Sequence, residues 1–493
     1  MGWVGLAGLA GLVGLASNSP ARAASPVLAI TGVTVIDGTD GPARAATTVI
    51  VRDGRIAAVT ADASARLPED AERLDGSGRF LIPALIDAHV HLANRPEHEA
   101  PAAMLLPSLV AHGVLAVRDM GGDLDRVIAM RAAIAAGTLV GPVIITPGPF
   151  IDGPQDRSAT VFPVATPAEA AAAVRALASR QVDFIKVQAG LTPVLWRATL
   201  DAARAAHLSV AGHVPEAMSA FDVVSGGQRS VEHVSPALPG DAGLMVSVSR
   251  DEVALRAEMR AIAAGWAQPD PDRAALRARN RELQRRLIAS VDPARAAALF
   301  TAMREHDVTA VPTLAWSNGL LPGARNDWPG ANALALVPRA VREPWLQRRR
   351  SLAAAATDDD LALNLAIARA SVAFVAAMHR AGVAVVAGTD AFDSYLPLGP
   401  SLHAELANLV AAGLSPRQAL LSGTREPARL LGMIASRGTI TVGKQADLLL
   451  LDRDPTADIH ATQTIHAVIQ SGRVIDRGSL DRMLADVRAA ADR

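Results

Sequence analysis

His89 and His91 stand two positions apart at the end of the apolar run "LIPALIDAHVHL", residues 81–92. On a β-strand such positions face the same way, so the two imidazoles would project together as half of a metal site. The pair also suits the polar face of an edge strand, so the rest of the chain must decide. Four further groups close other apolar runs: Lys186 in "DFIKVQ", His213 in "VAGHVP", His233 in "SVEHV" and Asp390 in "VAGTD". Singly, each has a structural role open to it: Lys186 as a snorkelling lysine, the histidines as hydrogen-bonded core residues, Asp390 as a helix cap. Jointly, imidazoles, a carboxylate and a lysine at the ends of like segments point to one shared site for divalent metal. His98, His112, His207, His306, His379, His460 and His466 fall in helical or loop settings and take no role.

A site of this kind needs a frame that brings strand ends together. Eight apolar strand candidates run through the middle of the chain: "LIPALIDAHVH", "GVLAVRDMG", "PVIITPGPF", "DFIKVQ", "LSVAGHVP", "RSVEHV", "VTAVPTL" and "VAVVAGTD". Most are separated by helical stretches such as "TPAEAAAAVRALASR", which opens on a Thr-Pro helix-entry signal. Eight strands with intervening helices predict an α/β chain folded as a (β/α)8 TIM barrel, whose sites lie at the C-terminal strand ends. A doubly wound sheet is the alternative, but no Gly-rich phosphate fingerprint follows the first strand. The stretches near 250–305 and 317–363 exceed ordinary loops and read as helical insertions, with a lid over the barrel mouth as their expected role. The two ends carry matching hairpins, "VRDGRIAAV" and "IQSGRVIDR". Neither end has strands enough for a covered sheet, so 25–81 and 431–478 are expected to combine into a small composite β-sandwich. The barrel then spans 82–430, and 479–493 forms a C-terminal helix.

Half of the 493 residues are hydrophobic and 20% are charged, enough for a large core in one big domain with an accessory. The net charge of −1 gives no reason to expect nucleic acid or an acidic membrane surface as partner. No cysteine is present, which excludes disulfides, thiolate nucleophiles and Cys-ligated zinc. The first 24 residues read as a signal peptide or a disordered N-terminus: an apolar stretch, then "ARA" at 21–23, without a basic residue before Arg22. The stretch is short and glycine-punctuated for a stable membrane anchor. A periplasmic or secreted location is expected, with a cytoplasmic one as the alternative.

These residues carry a resemblance. The segments "LIDAHVHL", "HGVLAVRDMGG", "DFIKVQ", "AGHVP", "VEHV", "GTD", "SLHAEL", "AGLSPRQALLSGTREPARLLG" and "GTITVGKQADLLLLD" make the chain similar to the amidohydrolase superfamily, in its imidazolonepropionase-related and prolidase-like branch. The resemblance implies a distorted barrel with a composite β-sandwich and a binuclear centre. His89, His91 and Asp390 would hold the more buried metal and His213 and His233 the second, with Lys186 bridging both as an N6-carboxylated lysine. Zinc is the default, with manganese or cobalt able to occupy the same oxygen-rich set. A water between two ions loses its proton near neutral pH and attacks an amide, and Asp390 is the expected acid/base. No serine nucleophile is required, and "SGT" at 422–424 reads as a structural turn.

The resemblance implies hydrolysis of a carbon–nitrogen bond in a small molecule such as a dipeptide or N-acyl amino acid. Arg118, Arg157 and Arg229 are candidate cations for a substrate carboxylate. Tyr395, the chain's one tyrosine, could donate to an oxyanion, and His403 in "SLHAEL" could reach substrate or pack a helix. The segment "GPFIDGPQDRSATVFPVATP" departs from the prolidase-like pattern, which argues against proline dipeptides, and an exported enzyme has little use for imidazolonepropionate. A lactone or ester hydrolase, a mononuclear deaminase and a non-catalytic binding protein are the alternatives. Lys186 argues against the deaminase and the full ligand set against the binding protein. A homo-oligomer is compatible with the sequence.

Overall fold

A computed structural model of the protein describes residues 27–94, 96–155, 158, 160–321, 330–392 and 395–493. The segment 1–24, expected as a signal peptide or disorder, lies outside the described residues.

The N-terminal part forms strands β1 (Leu28–Val35), β2 (Arg44–Arg52), β3 (Arg55–Ala61), β4 (Glu72–Asp75) and β5 (Phe80–Pro83). The middle supplies β6 (Leu85–Val90), β7 (Val114–Asp119), β8 (Val143–Ile145), β9 (Phe150–Asp152), β10 (Val161–Pro163), β11 (Ile185–Val187), β12 (Val210–Gly212), β13 (Ser230–Glu232) and β14 (Thr309–Val311). The C-terminal part adds β15 (Leu448–Leu451), β16 (Ile465–Gln470) and β17 (Arg473–Asp476), followed by the helix Arg477–Ala491.

Strands from both ends join in one eight-stranded sheet, in the order β17-β16-β15-β5-β1-β2-β3 with β4 on β1. The two hairpins are the same device, as their sequences suggest. Asp53-Gly54 and Ser471-Gly472 both have positive φ at both turn positions, the conformation that matches the strand twist. The turns also abut, since a Cβ on Gly54 would lie 2.8 Å from the Ser471 carbonyl oxygen. Side-chain alternation then gives the sheet two apolar faces. Leu81, Leu448 and Leu450 pack in a small core with Ile30, Val49 and Ile56, whereas Ile82, Leu449 and Leu451 face the main core.

The central strands are parallel and fall in two sheets, β6-β7-β8 and β10-β9-β11-β12-β13-β14. Hydrogen bonds join their margins. Asp183 N donates to Thr146 O at one side; at the other, segment 384–391 runs between β14 and β6, with Ala310 N donating to Ala384 O and Ala88 N to Ala387 O. The eight expected strands are thus redistributed. "LIPALIDAHVH" divides at Ala84, whose N–H bonds to Asp447 O as the chain leaves one sheet for the other. "PVIITPGPF" divides at Pro147-Gly148, where a prolyl nitrogen and a glycine with φ +69 break the ladder. "VAVVAGTD" contributes isolated parallel bridges, Ala310↔Val385 and Val90↔Ala391, instead of a continuous strand.

Both expected insertions are helical: Glu252–Trp266, Arg273–Ser290 and Pro293–Glu305, then Leu314–Leu320, Ala331–Leu334, Arg339–Ala355 and Asp358–Arg380. The last is long and apolar enough to cross a membrane. It packs against Arg273–Ser290, Leu314–Leu320 and Pro400–Ala411 and buries Ile367, Phe374, Val375 and Met378.

Candidate metal centre

The six residues singled out by sequence come together. His89 and His91 close β6, Lys186 lies in β11, and His213 and His233 directly follow β12 and β13. Asp390 ends the segment bridged to β6. Glycines permit this convergence. A Cβ on Gly388 would lie 2.6 Å from Val311 Cγ1 and 2.8 Å from His89 Cβ, and one on Gly212 would collide with the Val187 carbonyl. His233 (φ +64), Asp390 (φ +61) and Thr313 (φ +49) all occupy the left-handed region, which costs energy in residues with a Cβ and concentrates at functional sites.

Two groups of ligand-type atoms result. His89, His91 and Asp390 form one, and His213, His233 and Asp241 the other. Asp390 Oδ1 lies 3.3 Å from His89 Nε2 and 3.0 Å from His91 Nε2. The ring centroids of His89 and His233 are 5.0 Å apart and those of His213 and His233 4.9 Å apart. Asp241 Oδ1 approaches His213 Nδ1 at 3.5 Å and His233 Nε2 at 3.9 Å.

The imidazoles are oriented by partners behind them. His89 Nδ1 bonds to Glu232 Oε2 at 3.0 Å, His91 Nδ1 to Gly121 O at 3.2 Å, and His233 Nδ1 to Thr313 Oγ1 at 2.8 Å. His89 and His91 each donate their Nδ1–H outward, which leaves the Nε2 lone pairs facing the cluster. His213 Nδ1 lies 3.3 Å from Gly240 O. Behind His89, Glu232 accepts from Arg118 Nη2 at 2.9 and 3.0 Å and from Ser230 Oγ at 2.6 Å. Asp87 ties β6 to the Asp390 segment, accepting from His89 N at 3.2 Å and from Thr389 Oγ1 at 2.7 Å.

Burial sets the protonation states. It takes His213 well below the usual imidazole range and His233 down to about 3, with Lys186 adding to both, so both rings are neutral at pH 7. Burial lowers Lys186 to about 8 and raises Asp87 to about 7. Burial opposes the ionised form of Asp390, but His89 and His91 outweigh it and hold the carboxyl well below its ordinary range. Neutral rings at His213 and His233 and an ionised Asp390 are ligand states that a divalent cation requires, whereas at His91 burial is outweighed by the Asp390 carboxylate, which raises the ring's pKa.

The expected substrate cations are placed elsewhere. Arg118 is buried, and its guanidinium serves Glu232, Ser230 and the Ala88 carbonyl. Arg229 precedes β13 and pairs with Asp307 at 2.5 Å near the surface. Arg157 lies outside the described residues. His403 has both ring nitrogens engaged, by Thr462 Oγ1 at 2.9 Å and His112 O at 3.1 Å, so it packs a helix. Tyr395 is buried with a hydroxyl that has no hydrogen-bond partner among the described residues, beneath Trp345 and Arg349. Sequence reasoning missed Glu232, Asp241, Asp87 and Thr313. Glu232 adjoins His233 and Asp87 shares the strand face of His89, so local signals existed for both; Asp241, in "LPGDAG", offered none.

The sequence model of the amidohydrolase family matches residues 80–265 and 333–475, well over half of the chain. Imidazolonepropionase from Maricaulis maris (strain MCS10) is 39% identical over 85 residues, 17% of this chain and 21% of that enzyme, so the match spans about a fifth of the relative's length. Among solved structures, a Bifidobacterium longum protein assigned as a prolidase is 25% identical over 94% of this chain and 99% of its own, with a TM-score of 0.63. A bottromycin amidohydrolase, 21% identical, covers 94% of this chain and 90% of its own with a TM-score of 0.71, a likeness of fold.

Proposed function

The chain belongs to the amidohydrolase family, and on that premise we propose that it is a binuclear, metal-dependent hydrolase of amide bonds in small molecules. The observation that carries the reading is the convergence of four imidazoles with Asp390 and Asp241 into two adjacent ligand groups, with the buried Lys186 coupled electrostatically to both. The residues fit divalent ions: His89 Nε2 and Asp390 Oδ1 are buried without hydrogen-bond partners among the described residues, and zinc suits the donor set. His89, His91 and Asp390 would hold one ion and His213 and His233 the other, with Lys186, once carboxylated, as the anionic ligand for the pair. A lysine drawn down to about 8 supplies the neutral amine that reacts with CO2.

Bound ions acidify water and polarise the substrate carbonyl. Asp390 takes the proton of the attacking water and delivers it to the leaving nitrogen. Tyr395, five residues further on, is the candidate donor to the developing oxyanion. The frame is read as a distorted (β/α)8 barrel, its two parallel sheets joined through segment 384–391, with the end-to-end sheet as a composite β-sandwich. The 1–24 segment supports a periplasmic or secreted location.

Hydrolysis rates of the zinc- or manganese-reconstituted enzyme on dipeptides, N-acyl amino acids and lactones, with Lys186→Ala as control, test the proposal. Amide cleavage that falls at least about a thousandfold without Lys186 is expected. Turnover of lactones alone, or an unaffected Lys186→Ala enzyme, would overturn it.

A further inference from the structure

A cavity of about 1010 Å³ opens beside the metal centre, at the upper end of the range for drug-sized ligands. The two share Gly240, which lines the cavity and whose carbonyl touches His213. Its walls come largely from the helical insertions: Trp266, Arg277 and Arg281 lie in the stretch between the two blocks matched by the family model, whereas Leu238, Arg348 and Leu352 lie within those blocks.

Three of the large hydrophobic side chains exposed among the described residues, Leu238, Trp266 and Leu352, gather on this one surface. An apolar concavity next to a reaction centre needs an apolar occupant. Its charges are asymmetric. Arg281 is neutralised by Asp360 at 3.2 Å, whereas Arg277 and Arg348 line the cavity with no carboxylate partner among the described residues. Glu216 is the remaining acid on the wall, and burial raises its pKa.

We propose that this cavity is the substrate's specificity pocket, and that the substrate is an amide with a bulky apolar body and a free carboxylate held by Arg277 and Arg348. The proposal rests on the amide-hydrolase reading and narrows it. It also replaces the cations expected from sequence with two from the insertions.

Two non-cleavable sulfonamides isolate the anion: N-benzylsulfonyl-L-leucine and N-benzylsulfonyl-L-leucinol, titrated calorimetrically into the metal-loaded enzyme. The acid is expected to bind at least about tenfold more tightly than the alcohol, a preference lost in Arg277→Ala/Arg348→Ala. Trp266→Ala is expected to weaken both probes alike, because it touches the body and not the charge. For N-phenylacetyl-L-leucine turnover, the double arginine variant should raise KM about tenfold with kcat changed less than about threefold. Equal binding of the two probes, or a preference that survives both substitutions, would overturn the pocket. Amide turnover without acid preference sinks the pocket alone; acid preference without any amide turnover sinks the hydrolase reading, and with it the amide assigned to the pocket, while the anion site at Arg277 and Arg348 stands.

Discussion

Glu232 and Arg118 bring opposite charges into a space water barely reaches, each only 2% exposed. Removing one partner of such a pair strands the other, a loss of about 3–5 kcal/mol, whereas replacing both with apolar groups is often neutral. Their value here is orientation, because Glu232 fixes the His89 ring that faces Asp390. Glu232→Gln should therefore lower stability by about that amount, measured by urea denaturation. Glu232→Gln/Arg118→Met should recover most of the stability yet bind zinc about 10–100-fold more weakly than wild type, since the outer partner of His89 stays altered. A double variant with wild-type zinc affinity would show that the pair serves folding alone. The same residues mark how far a sequence can be read. His89, His91, Lys186, His213, His233 and Asp390 were legible because each ends an apolar run, a property of the local chain. Glu232 stood in view beside His233, but its role depends on Arg118 reaching across from β7, 114 positions away.

Helix Pro400–Ala411 acts on the site without touching the imidazoles. Its buried Glu405 accepts from Leu314 N at 3.0 Å and Ala315 N at 2.6 Å, which fixes the turn where Thr313, with φ +49, meets His233. Glu405→Ala would leave two buried N–H groups unpaired, at about 1–3 kcal/mol each, and free the Thr313–His233 contact, so activity should fall with stability. Burial raises the Glu405 carboxyl to about 8. The folded chain thus holds this proton more tightly than the unfolded chain, and the stabilisation present below about pH 4.5 is lost as pH climbs through about 8. Glu405→Gln, which cannot ionise, should flatten that decline. Melting temperatures at pH 6 and pH 9 test this; a parallel alkaline loss in the variant would assign the effect to other groups. Element boundaries were less legible than site residues for a related reason. Strands β11 to β14 are three residues long, too short for periodicity to delimit. The break at Gly148 has a local cause in Pro147-Gly148, whereas the one at Ala84 follows from which sheet accepts the chain, where its N–H bonds to Asp447 O.

At the scale of the whole molecule, the proposed ligands tie together what the hydrogen-bond ladder leaves loosely joined. Residues 89 and 390 belong to opposite ends of the central region, and the segment carrying Asp390 is held by isolated bridges to β14 and β6. The Asp87–Thr389 bonds reinforce that seam from below. Above it, Asp390 Oδ1 and the imidazole Nε2 atoms of His89 and His91 converge with no donor between them. A cation there would bind the folded chain and not the unfolded one, so it adds about 2.7 kcal/mol at a hundredfold excess over Kd. Chelation should accordingly lower the melting temperature and speed amide exchange first in residues 384–391, before the end-to-end sheet, whose longer ladders contain none of the proposed ligands. Asp390→Asn should already exchange quickly in that segment and respond little to zinc. Hydrogen exchange with and without chelator reads this directly. Uniform acceleration across both regions would mean that the ions stabilise the fold as a whole, and unchanged exchange would mean that the cluster does not close the seam.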